Sequence, residues 1–455
     1  MITETQAPER YLETFDQFNR RSATQLGWLK ALRQEGFARF AETGFPTTHD
    51  EDWRFTNVAP IAQTAFQSAV AADVSPGQVD SFGTTQFATQ LVFVNGRFSR
   101  ELSRFGALPR NVKVNGLAQE LTSNASAVEA HLGQYLNFRR DAFSALNTAF
   151  IEDGAYVHVP RGTVVEQPIY VLYIAAPGEQ PIIENPRNLI VVEENSQAAI
   201  VEDYVSLGEG TSFSNTITEL VAGDSSVVSH YMIVRGSGSS YNVSTLRLQQ
   251  GRSSNVATHS LLLGGALVRN NVHPVLAGQG AECLINGLFM ANGRQHMDNY
   301  MLVEHASPHC NSRQFYNGIL NAQGHGVFHG RIIVHKDAQK TDAKQTNRNL
   351  LLSDDAQIDT KPQLEIYADD VKCTHGATIG QVEENALFYL RSRGLSEASA
   401  RHLLLMAFAN ECLDRMNETQ VRKHVEALVS QWVPESASYT GQQHAPAERV
   451  WEEVG

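Results

Sequence analysis

Cys373 and His375 stand two residues apart in the run Asp369-Asp370-Val371-Lys372-Cys373-Thr374-His375-Gly376. The alternation that begins in Leu364-Glu365-Ile366-Tyr367 predicts a strand here, and residues two apart on a strand share a face. Cys373 and His375 then project together while Lys372 and Thr374 point away. A thiolate and an imidazole on one face make half of a soft metal site, suited to iron, an iron–sulfur cluster, copper(I) or zinc. Two ligands seldom hold such a metal alone, so the others must come from elsewhere in the fold or from a second chain. Two further readings stay open: a small buried thiol beside a hydrogen-bonded core histidine, and a cysteine nucleophile activated by histidine, which lacks a third orienting group.

Histidine is also unevenly spread. Six of the 16, His296, His305, His309, His325, His329 and His335, fall in one short span with Cys310. Such clustering invites a metal-site reading; a polar β body with stacked, hydrogen-bonded histidines is the favoured one. The four cysteines, Cys283, Cys310, Cys373 and Cys412, form no CxxC pair, so neither a disulfide framework nor a self-contained zinc finger is indicated. Cys283 and Cys412 read as core residues. No Gly-Lys dipeptide, HExxH, GxSxG or GxGxxG string occurs, which excludes a P-loop nucleotide site and leaves no dinucleotide fingerprint.

The 455 residues carry 36 Lys+Arg against 49 Asp+Glu, a formal charge of −13, which argues against nucleic-acid binding. With 42% hydrophobic and 19% charged residues the chain can bury a large core. No apolar run reaches the roughly 18 residues a membrane span needs. The N-terminus has neither a basic nor an apolar leader segment, so a cytoplasmic protein is expected.

The elements that must position these residues fall into four stretches. Residues 1–150 read as a helical and mixed region. Apolar residues recur at helical spacing from Tyr11 to Phe40 until Gly44-Phe45-Pro46 stops them, Asn95-Gly96 signals a hairpin, and a helix is expected over Ala125 to Leu146. Residues 151–383 hold short β-rich runs, among them Ile169–Ile174, Ser226–Val234 and Val327–Val334, with no helical period between them. A solenoid or a large sandwich fits, and no fixed repeat length is visible. Residues 384–434 return to helix, with one apolar stripe through Leu405, Phe408, Cys412 and Met416 and another through Val421, Val425 and Val429, ended by Pro434. Residues 435–455 form a polar tail expected to be mobile.

Several of these strings resemble the SufB/SufD family of the SUF iron–sulfur cluster assembly system. They are Gly44-Phe45-Pro46 with Glu51-Asp52-Trp53-Arg54-Phe55-Thr56, His305 to Ser312, Gly330 to Val334, Ala338 to Gln381, and Phe388 to Leu395. No cysteine lies between Cys310 and Cys373, and Val371-Lys372-Cys373-Thr374-His375 stands where SufB-like chains read differently; both features place the chain on the SufD side. The resemblance implies a mainly β protein, a right-handed parallel β-helix flanked by helical regions. It implies pairing with SufB through the β-helix and binding of the ATPase SufC by the C-terminal helices. In that setting Cys373 and His375 would serve a transient iron–sulfur cluster, or iron, shared with the partner chain, and the subunit itself would be a non-catalytic scaffold. The alternatives are a β-helix carbohydrate-active enzyme, against which the charge and the missing leader count, and a stand-alone homodimeric metal-binding protein.

Overall fold

The computed structural model describes residues 7–21 and 26–433. The polar tail and its Pro434 boundary lie outside the described residues.

Two sheets, one of 11 strands and one of 10, face each other across the long axis of the molecule. From Gln197 onwards successive strands alternate between the sheets, so each pairs in parallel with the strand one full turn later. The result is a β-solenoid of about eight turns with helices at both ends. From Gln197 onwards the offset between paired residues runs from 26, Tyr241 against Leu267, to 32, His325 against Gln357. That spread is why no fixed repeat shows in the sequence. One corner of the coil is nevertheless regular. Asn195, Ser225, Ser253, Gly280, His309 and Lys340 all adopt positive φ, and each donates its N–H across the corner to the next turn, as Asn195 does to Asp224 and His309 to Gln339. His309 is thus a corner residue.

Apolar residues from both sheets fill the interior, with Val256, Cys283, Ala343 and Cys373 in one column over successive turns that also holds the buried Ser312. Burying each large aliphatic side chain there contributes about 1.5–3 kcal/mol.

The N-terminal region is not a separate body. Its hairpin, Thr89–Val94 and Arg97–Arg104 around Asn95-Gly96, extends the 10-stranded sheet through parallel pairing with Ile169–Ala175. Asn95 and Gly96 have the φ of 50° and 75° that this turn needs. The expected early helix is two, Ala7–Arg21 and Gly27–Thr43. The helix expected over Ala125 to Leu146 is also broken, into Ala125–Glu129, a short turn at Phe138–Arg140, and Ala142–Ala149. Gly133 at φ 78° interrupts it, and Asp141 starts the chain again by accepting hydrogen bonds from the backbone of Phe143 and Ser144. Replacing Asp141 by alanine is therefore expected to lower stability by about 1 kcal/mol in a urea titration.

These helices bring Phe15, Phe37, Phe40, Phe143 and Phe150 together over Phe213 and Ile217 of the solenoid. The string Glu51 to Thr56 forms a clasp on the 11-stranded sheet. Glu51 bonds Lys361 at 2.9 Å, Trp53 lies 3.8 Å from the Arg269 guanidinium, and Thr56 bonds Asp298.

At the other end, Glu384–Ser392, Glu397–Leu413 and Thr419–Trp432 are helical. Leu405, Phe408, Cys412, Val421, Val425 and Val429 all bury against Val201, Tyr231, Leu288 and Ile319 on the outside of the 10-stranded sheet. Asn286 and Asn317 of that sheet donate to the carbonyls of Cys412 and Phe408. The apolar stripes are therefore consumed within the chain.

Candidate functional site at the open end of the solenoid

Cys373 and His375 belong to the last strand, Lys372–Gly380, as the alternation predicts. Exposure alternates along it, Lys372, Thr374 and Gly376 outward, Cys373, His375 and Ala377 half-buried and inward. In register they continue the interior columns of the previous turn, Cys373 beside Ala343 and His375 beside Gln345. His375 thereby ends a polar column of Gln314 and Gln345, themselves joined by a 3.1 Å hydrogen bond.

Lys372–Gly380 terminates the 10-stranded sheet, and Gln357–Ile366 terminates the other. Among the described residues, both sheets therefore stop at the same end with one edge unpaired. The mouth between them is lined by Ile358, Thr360 and Leu364 on one side and by Cys373 and His375 on the other. Two of its polar atoms, His375 Nδ1 and Thr360 Oγ1, are buried without a hydrogen-bond partner among the described residues. Beside it Ile366, Tyr367 and Ile379 are exposed.

Burial holds the Cys373 thiol above its usual pKa, the nearby Asp342 carboxylate adding to the effect. A protonated thiol is a poor nucleophile, which counts against the cysteine–histidine enzyme reading. It remains a ligand for a metal that can displace the proton. Among the described residues no group of three or more His, Cys, Asp and Glu side chains is arranged around one point for a metal ion. A metal held by the pair would therefore need further ligands beyond the described side chains.

The histidine-rich span does not converge. His305 is buried, its Nε2 2.8 Å from Ser312 Oγ, and burial lowers its pKa to about 4. His329 contacts Gln363 and His335 faces Glu304. His296 and His325 meet on the 11-stranded sheet. Cys283 and Cys412 are core thiols, burial raising the latter to about 12. Cys310 is also buried and donates to the Gly278 carbonyl.

The family model described as "SUF system FeS cluster assembly, SufBD core domain" matches residues 174–408, and that of the "SufBD protein N-terminal region" matches residues 5–171. The chain belongs to the SufBD family. A SufBD family protein of Synechocystis is 34% identical over 421 residues, 90% of this chain and 92% of the relative. Iron–sulfur cluster assembly proteins SufD of Escherichia coli and Bacillus subtilis are 31% and 23% identical, covering 89% and 95% of this chain and 93% and 99% of their own. Like the rest of the SufBD family, then, it is an iron–sulfur cluster assembly protein of the SUF system, and the carbohydrate-active reading is left without support. No helix among the described residues is long and apolar enough to cross a membrane.

The two unpaired sheet edges are what the sequence did not disclose about the site. The signal that could have found them is that the β-rich runs stop at Gln381 with no later strand pattern to cover the last turn.

Proposed function

We propose that the chain is a non-catalytic scaffold subunit that pairs through the open end of its solenoid with a SufB-type chain, carries the ATPase SufC on its C-terminal helices, and contributes Cys373 and His375 to iron or a nascent iron–sulfur cluster at the shared interface. The observation that carries this reading is the unpaired edge itself. A strand of nine or ten residues at a sheet edge is a template for another chain and is normally blunted or covered. Here two such strands, Gln357–Ile366 and Lys372–Gly380, end side by side around a polar mouth. A second solenoid adding strands to both edges would satisfy them and bring its own ligands to the half site. The iron or cluster is cargo, made there and passed on.

The helical end supports the second contact. With the apolar stripes buried on the sheet, the exposed large apolar residues among the described residues of this region are Phe388, Tyr389 and Leu403. These are the residues proposed to meet the ATPase. In the cell such a complex would work in the cytoplasm; a homodimer through the same edges is the competing arrangement when the partner is absent.

The test is the iron and acid-labile sulfide content of the complex co-purified with the SufB-type chain and the ATPase. His375→Ala is expected to leave assembly intact and lower iron several-fold, with Cys373→Ser intermediate. Normal loading of a fully assembled His375→Ala complex would remove this site from the chemistry.

A further inference from the structure

His296 and His325 open two consecutive strands of the 11-stranded sheet, His296–His305 and His325–Val334, and stand side by side in register. Their Nδ1 atoms are 3.1 Å apart, closer than the ring centroids at 4.7 Å, so the two nitrogens are turned towards each other.

The outer nitrogens decide what lies between them. His296 Nε2 is 2.9 Å from Thr56 Oγ1, and the Thr56 hydroxyl donates its one proton to Asp298 Oδ2 at 2.5 Å. Thr56 can therefore only accept from His296, and His296 carries its proton on Nε2. His325 Nε2 is 2.8 Å from Asp359 Oδ2. A carboxylate only accepts, so His325 carries its proton on Nε2 as well. A neutral imidazole has one N–H, which leaves both Nδ1 atoms as bare lone pairs facing each other. Two lone pairs at that distance repel unless a cation sits between them.

Two features favour a metal ion as that cation. Imidazole nitrogens bound at 2.0–2.1 Å around a tetrahedral centre lie roughly 3.3 Å apart, close to the observed separation. Each ring is also held from behind in the manner of a metal ligand, His325 by a carboxylate and His296 by a hydroxyl that is itself tied to a carboxylate. The Asp298 charge is met by Arg269, whereas Asp359 pairs with no Lys or Arg among the described residues and can balance an added cation.

We infer that His296 and His325 form a two-histidine site for a divalent first-row transition-metal ion, bound through both Nδ1 atoms with its remaining positions left to water. The site lies in the sheet opposite Cys373 and His375 and does not depend on their role. Because Thr56 belongs to the clasp, an ion there ties the N-terminal region to two successive turns of the solenoid.

The probe is Co²⁺ titrated by calorimetry into the full chain carrying Cys373→Ser and His375→Ala, so that the cluster site is silent. One equivalent is expected to bind and to raise the melting temperature. Adding His325→Gln is expected to abolish both effects. Asp359→Asn, a conservative change at a half-buried position that keeps both histidines, is expected to weaken binding about 10–100-fold. Absence of stoichiometric binding by the parent would show that a proton alone bridges the rings and would overturn the site. Binding of equal affinity in parent and both variants would overturn it as well, by placing the ion elsewhere.

Discussion

Glu219→Gln is expected to destabilise the chain by roughly 3–5 kcal/mol, because it strands a buried guanidinium. Arg187 and Glu219 have fully buried side chains. Arg187 Nε and Nη2 reach Glu219 Oε1 at 3.0 and 2.6 Å, and Nη1 reaches Asn147 Oδ1 and Thr148 Oγ1 in the helix Ala142–Ala149. Glu219 also accepts from the backbone of Gly133 at 2.8 Å. The pair therefore ties the N-terminal helices to the solenoid. The glutamine variant keeps the shape and removes the charge, so Arg187 remains desolvated and unbalanced. Replacing both residues, Arg187→Met with Glu219→Leu, is expected to cost far less than the single change, since neither charge is then buried. Urea denaturation of Arg187→Met, Glu219→Leu and the double gives the coupling directly. Equal losses in Glu219→Gln and the double would show that packing, and not charge, holds this junction.

Glu184→Gln should do the opposite, and only at higher pH. Glu184 is buried beneath the Asn95-Gly96 turn, beside a cavity of about 270 Å³ lined also by Asn95, Arg97 and Asn185. Its Oε1 accepts a 2.5 Å hydrogen bond from Ser214, and its Oε2 has no partner among the described residues. Burial raises its pKa from 4.5 to about 7, with the Ser214 bond pulling the other way. The folded chain thus holds this proton more tightly than the unfolded chain. Below pH 4.5 both states are protonated and nothing is lost. As the pH climbs through 7 the unfolded state ionises first, and stability falls by about 3 kcal/mol in all. Glutamine cannot ionise. The variant is expected to match the native chain near pH 4.5 and to exceed it by up to about 3 kcal/mol at pH 8, read from urea midpoints at the two pH values. A constant difference between the variants across that range would mean that Glu184 does not titrate here.

How much of this was legible in the sequence varied with the physics of each part. The Cys373 and His375 pair was readable because a two-residue step on a strand needs no knowledge of the rest of the fold. The Asn95-Gly96 turn was readable because few residues accept its backbone. The solenoid was ambiguous with a sandwich because its turns differ in length and because inward positions hold polar residues such as Gln345 and Asn347, which blur the alternation. The helix expected over Ala125 to Leu146 failed at Gly133, where φ is 78°. The stripe of Leu405, Phe408 and Cys412 was correctly helical, but spacing along one helix does not say what covers it, and here a sheet does. The approach of His296 to His325 was hidden for a related reason: their separation of 29 residues has no meaning until the turn of the coil is known.

The unpaired last turn has a consequence for dynamics. In a coil whose strands bond only to the turns before and after, stability propagates between nearest neighbours. The strand Lys372–Gly380 has one such neighbour where interior strands have two. Like Gln357–Ile366, which also has a single neighbour, it is a weak end of the array, expected to open before the turns behind it and to exchange its amide protons faster than they do. In the proposed complex, docking of a partner would supply the missing neighbour. On the proposed pairing, capture of the partner and rigidification of the thiol and imidazole would be a single event, so that the ligand pair would be assembled only where there is a second chain to complete it.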